Sequence, residues 1–202
     1  MRIFWRVIAF MLFFGGIYDD SASAEFSVSH TIVNYNTGIR ITIKGAQNNH
    51  GAPLSLGGTL PSDSNPYIGS TSAGLGKGAN LPEWVEIRWI ETGPEWDMSS
   101  KEYYALSRIE RDERSKRYSQ IPVKSVRIPI RSRIPEPVAD ELKRSPLDPE
   151  RSNLPLKSLR LYFIWTIDGV KLRWRLRHKC CETLQEGGDP LPSIVAANAS
   201  QS

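Results

Sequence analysis

Apolar and polar residues alternate in several separated runs of this chain, and only one run has a helical repeat. Phe26, Val28 and Ile32 keep a two-residue spacing, and Ile39, Ile41 and Ile43 alternate with Arg40, Thr42 and Lys44. Such alternation predicts half-buried strands. Asn36-Thr37-Gly38 lies between the two runs and ends in a residue that tolerates positive φ. The sequence therefore predicts a β-hairpin here. Val85, Ile87 and Trp89 share one face of a further strand, with Glu86 and Arg88 on the other. Val126, Ile128 and Ile130 repeat the pattern within 123–130.

The clearest signal lies between Leu159 and His178, where Asp168-Gly169 divides two alternating runs. This dipeptide predicts a hairpin with a type I′ turn. A two-residue loop at that place sets Ile167 against Val170, Trp165 against Leu172, Phe163 against Trp174 and Leu161 against Leu176. Every pair is apolar on apolar. The opposite face carries Arg160, Tyr162, Ile164 and Thr166, then Lys171, Arg173, Arg175 and Arg177. It is a basic stripe holding one tyrosine. Read plainly it is a solvated sheet face; read sharply it is a docking surface for an acidic partner or an anionic head group. Cations on alternate positions repel one another, which makes Glu86 a candidate counter-charge.

Helical spacing appears once. Ser99 stands three residues before Glu102, a capping-box spacing, and Tyr103, Tyr104, Leu106 and Ile109 form an apolar strip. With the mixed charges of 108–117, this predicts one surface helix of roughly four turns. Glu110, Asp112 and Glu113 offset its basic residues and argue against a nucleic-acid helix.

Three stretches lack periodicity. Residues 45–80 are rich in Gly, Ser, Asn and Pro and predict a long loop with one short strand near Leu54 to Leu56. Residues 132–156 hold Pro135, Pro137, Pro146, Pro149 and Pro155 and predict short turns, or a single helical turn around 138–143. The segment 183–202, with Gly187-Gly188-Asp189-Pro190 and small polar residues, predicts a disordered tail. The expected fold is a single mainly-β domain over 25–182, α+β at the margin. Its architecture is an antiparallel sheet or β-sandwich with one charged surface helix.

The first 24 residues change the expected compartment. Arg2 and Arg6 precede an uncharged run from Val7 to Ile17, and Ala22-Ser23-Ala24 offers small residues at a cleavage point. This predicts a secretory signal peptide cleaved after Ala24 and a periplasmic protein. The apolar run falls short of the ~20 residues of a spanning helix, which favours a cleaved signal over a retained anchor. No other apolar stretch approaches ~18 residues, so no transmembrane span is expected after cleavage.

Composition narrows the chemistry further. The chain of 202 residues has 26 Lys and Arg against 22 Asp and Glu, a net charge of +4, which is mild for a nucleic-acid binder. Three His and two Cys leave little for a metal or nucleophile site, and no cofactor is expected. Cys180 and Cys181 are adjacent, so their Cα atoms are closer than an ordinary disulfide allows. A vicinal disulfide, two free thiols and pairing between chains all remain open. The phosphate-loop spacing around Gly76-Lys77 fails, with Thr71 and Gly78 where glycine and Ser or Thr are needed. Ser70 to Gly74 lacks the first glycine of a nucleophile elbow. No catalytic residue or metal ligand emerges, and a non-enzymatic role is expected.

One resemblance adds to this. The runs at Val33-Asn34-Tyr35 and 39–45, the glycines of 74–78, and Leu81-Pro82-Glu83-Trp84 leading into Val85–Trp89 are followed by a late strand pair. The arrangement resembles exported bacterial families of unknown function whose members include immunity proteins of type VI secretion lipase effectors. It implies a periplasmic binder that occludes a toxin's active site through the 45–80 loop or the basic stripe. The alternative is an envelope-associated module holding anionic lipid or glycan. On either reading the contact residues are Arg160, Tyr162, Lys171, Arg173, Arg175 and Arg177.

Overall fold

The computed structural model describes residues 27–35, 37–61, 70–71, 81–179 and 182–190. The expected signal peptide, Cys180 and Cys181 lie outside the described residues, as does much of the expected 45–80 loop. Strands dominate, as the alternation predicts. In chain order they are β1 (Ser27–Asn34), β2 (Arg40–Asn48), β3 (Pro53–Leu54), β4 (Gly58–Leu60) and β5 (Ser70–Thr71). There follow β6 (Trp84–Thr92), β7 (Lys124–Pro129), β8 (Leu147–Asp148), β9 (Arg151–Pro155), β10 (Lys157–Thr166), β11 (Gly169–His178) and β12 (Glu182–Gly188). The helices are α1 (Ser100–Ala105), α2 (Arg108–Ser119) and α3 (Glu136–Lys143).

The first sheet has the order β12-β11-β10-β1-β5, and the second runs β3-β2-β6-β7 with β4 also on β2. All pairings are antiparallel except β1 with β10. Ile32 of β1, Ile41 of β2, Val85 and Ile87 of β6, and Leu161 and Phe163 of β10 are all buried in one apolar cluster. Trp89 and Trp165 join the two sheets edge to face, with centroids 5.8 Å apart. This is a β-sandwich whose core is the two inward faces.

The expected hairpin of β1 with β2 does not form. β1 joins β10 in the first sheet and β2 joins β6 in the second. Asn34 explains the crossing: its side-chain amide donates to the carbonyls of Ile39 (2.7 Å) and Pro61 (2.8 Å). The Thr37 hydroxyl donates to Asn34 Oδ1 at 2.7 Å. These bonds satisfy a bend between sheets where a ladder would have satisfied a hairpin.

The β10–β11 hairpin forms with a different register. Thr166 pairs with Gly169, so Trp165 faces Val170, Phe163 faces Leu172, Leu161 faces Trp174 and Leu159 faces Leu176. The turn residues are therefore Ile167 and Asp168, and Ile167 is 88% exposed. Positive φ falls on Gly169 (106°) and on neither turn residue, which excludes type I′ and matches a turn followed by a glycine bulge. Moving the turn by one residue shifts each pairing by two, so every side chain keeps its face. The inward and outward assignments consequently survive the change of register.

Three further expectations are corrected. The single helix after Ser99 is two helices, because Ser107 and Glu110 build a second capping box eight residues on. Neither helix has a buried residue. The proline-rich 132–156 segment holds the eight-residue α3, which buries Val138, Ala139 and Leu142. Its prolines, Pro135 and Pro137, occupy the start, where a missing N–H costs no helix bond. Residues 183–188, expected in a disordered tail, pair with β11 as most of β12. The reason is local. Gly187 leaves the space filled by the Trp174 ring, and Gly188 adopts φ 110° with its Cα packed on the Leu172 backbone. Asp189 then closes the end: its N–H donates to the Leu172 carbonyl (2.7 Å) and its carboxylate accepts the Leu172 N–H (2.8 Å). Arg133 forms an ion pair with the same carboxylate.

Candidate binding face

The antiparallel register of β10 and β11 sets the geometry of the predicted stripe. Arg160 faces Arg175, Tyr162 faces Arg173, Ile164 faces Lys171 and Ser158 faces Arg177. Residues 159, 161, 163, 172, 174 and 176 are buried on the inner side. The alternating cations therefore stand together on the outer side of the first sheet. All six residues expected to contact a partner, from Arg160 to Arg177, lie on this face and are partly exposed. β1 adds Ser29 and Thr31 to the same side, and Arg160 Nε donates to Ser29 Oγ at 3.4 Å.

The counter-charge comes from a residue outside the expected domain. Glu86 does not face the stripe: it lies in the second sheet and binds Arg127 at 2.9 Å. Glu186 of β12, placed opposite Arg175 by the ladder, takes that role. Its Oε2 accepts from Arg175 Nε at 2.9 Å, and its Oε1 is 3.5 Å from Arg173 Nη2. The Arg175 guanidinium also lies 5.5 Å from the Tyr162 ring centroid. Two strand cations that would repel are thus bridged by one carboxylate, and one of them is steadied by an aromatic ring. No periodicity in 182–188 signals this strand. The useful hint was the glycine pair followed by Asp189, whose need for special backbone conformation resembles a loop.

Elsewhere the molecule offers less organised chemistry. Beside α3, an open groove of about 520 Å³ is lined by Glu136, Pro137, Asp140, Glu141, Arg144 and Lys157. Lys157 Nζ and Glu141 form an ion pair there at 2.5 Å. His30 is buried on β1, His50 contacts Asn49, and His178 Nδ1 lies 3.5 Å from Glu182. Among the described residues no three His, Cys, Asp or Glu side chains cluster as metal ligands. No described helix is long and apolar enough to cross a membrane.

The outer side of the second sheet differs. The segment between β6 and β7 returns over it as an arm containing α1 and α2. Arg40 binds Asp97 at 2.5 Å and Lys44 lies 4.8 Å from the Tyr118 ring centroid. Arg114 donates to the Trp96 carbonyl (3.0 Å) and stacks on the Trp96 ring at 4.6 Å. Ile90 and Thr92, on the outward positions of β6, are buried. Compared with protein-family models, curated proteins and solved structures, the chain matches none.

Proposed function

We propose that this protein is an exported, non-enzymatic binding protein that docks an acidic protein surface on the outer face of its first sheet. The observation that carries the reading is the composition of that face. Arg160, Lys171, Arg173, Arg175 and Arg177 stand on two adjacent strands around Tyr162, with Glu186 bridging two of them. Arginine and tyrosine are the side chains that most often anchor protein contacts, because each combines a large flat surface with directional donors. A rigid sheet fixes their spacing before contact, which lowers the ordering cost of association.

The resemblance to exported immunity proteins suggests a secreted lipase effector as the partner, held in the periplasm. Under this reading the protein acts by covering the toxin and requires no reacting group of its own. Co-expression with a lipase effector encoded beside it should restore growth and yield a complex on co-purification. The absence of both protection and a complex would overturn the proposal. Retention on anionic phospholipid vesicles, with no protein complex, would favour the envelope-binding alternative instead.

A further inference from the structure

We infer that Glu186 is a tethered stand-in for an acidic side chain of the partner, and that docking exchanges one carboxylate for the other. The inference rests on the proposed binding role of the face and adds how that face is occupied before the partner arrives. Each oxygen of Glu186 serves a different guanidinium, Oε2 on Arg175 at 2.9 Å and Oε1 toward Arg173 at 3.5 Å. The seat is therefore matched to a planar, two-oxygen acceptor.

Burial separates the fixed part from the movable part. The side chains of Arg173 and Arg175 are 27% and 22% exposed, whereas that of Glu186 is 48% exposed. Arg175 is further restrained over Tyr162. Glu186 belongs to an edge strand whose other described side chains are also mostly exposed. Its carboxylate can turn away by side-chain rotation while the backbone pairing of Glu186 with Arg175 persists. Exposed ion pairs are individually weak, so exchanging one carboxylate for another is close to balanced and the rest of the contact decides the outcome. In the free protein, Glu186 holds two like charges at the spacing the partner needs. It also competes with every weak anion that meets the face, which favours partners presenting several acids at once.

A carboxylate-bearing probe tests the exchange. Purified protein is titrated with a fluorescently labelled peptide of twelve glutamates at low ionic strength, and binding is followed by anisotropy. Arg173→Ser and Arg175→Ser should each weaken binding about fivefold or more, whereas Glu186→Gln should tighten it about three- to tenfold. If the arginine variants bind as the parent does, the basic-face reading itself fails. If they lose affinity but Glu186→Gln binds no tighter, the face stands and the exchange is overturned. Amide exchange should show β12 still protected in Glu186→Gln. Should that variant release β12, Glu186→Asp takes its place, keeping the charge on a side chain too short to bridge both guanidinium groups. Tighter binding by Glu186→Asp supports the exchange, and unchanged or weaker binding overturns it. Phosphatidylglycerol vesicles form the second arm, and binding to them without binding to the peptide also overturns the inference.

Discussion

The helical arm and the β10–β11–β12 face are both charged exteriors, yet they are organised on different scales. In the arm, the helix starts are stabilised by near neighbours, while Arg40–Asp97 and the Lys44–Tyr118 contact hold the arm to the second sheet. Ser99 and Glu102, then Ser107 and Glu110, satisfy the first turns of α1 and α2. On the sheet face, Arg175 meets Glu186 eleven residues away, and Arg160 meets Ser29 across 131 residues. The arm's apolar residues Tyr104 and Ile109 are each 72% exposed, while beneath the sheet face Phe163 and Leu172 are fully buried. Local caps fix where a helix starts, but only tertiary pairing creates a surface with defined charge spacing.

The largest effect that would break this contrast is expected at the core. Phe163→Ala should cost about 3–5 kcal/mol, because a fully buried ring is replaced by a cavity. Ile109→Ser in the arm should change stability by no more than about 0.5 kcal/mol. Chemical denaturation of both variants checks the pair, and comparable losses would mean that the arm is integral to the core.

Next comes the join between β12 and β11. Gly188→Ala imposes a side chain at φ 110° with its Cβ only 2.3 Å from the Leu172 carbonyl oxygen. The expected cost is about 1–3 kcal/mol. Amide exchange should show protection lost at 182–188 before it is lost elsewhere in the first sheet. Retained protection would show that the glycine is dispensable.

Smaller effects than these belong to the helix caps. Ser99→Ala and Ser107→Ala should each remove about 0.5–2 kcal/mol from their own helix, read as lost helical signal by circular dichroism. Acidification sharpens the same point. Bonds from the side chain and backbone N–H of Ser99 hold Glu102 below its usual pKa, and Ser107 does the same to Glu110. Because both values are lowered in the folded state, the caps contribute above the ordinary carboxylate range. That contribution is lost as pH falls through the lowered values. The amide resonances of Ser99 and Ser107 should therefore move in acid before those of β10 do.

Alternation revealed which residues of β6, β10 and β11 face inward, because burial acts on every second side chain. It could not distinguish registers that differ by two, since both place Phe163 and Leu172 inside. Asp168-Gly169 fits either turn, with glycine as the second turn residue or just after the turn. The partner of β1 was equally hidden: Ile32 needs a buried face, but that need is met by β2 or by β10. β12 gave no signal because its side chains are exposed on both faces, so no hydrophobic period marks it. Glycine at 187 and 188 looked like permission for disorder when it was a steric requirement of Trp174 and the Leu172 backbone. On the candidate face, the cations were legible as a stripe, whereas their counter-ion was not, because that depended on a strand without a pattern.

The parallel pairing of β1 with β10 also has a consequence for the order of assembly. As the chain emerges from its N-terminal end, β2, β6 and β7 can meet across modest loops. β1 has only the two-residue β5 beside it until β10 arrives some 131 residues later. The cations of β10 and β11 follow, and Glu186 only after them. During synthesis there is an interval in which the basic residues exist without their tether, and it closes when β12 is laid down. Glu186 thus reaches Arg173 and Arg175 last in the order of synthesis, after both arginines are in place.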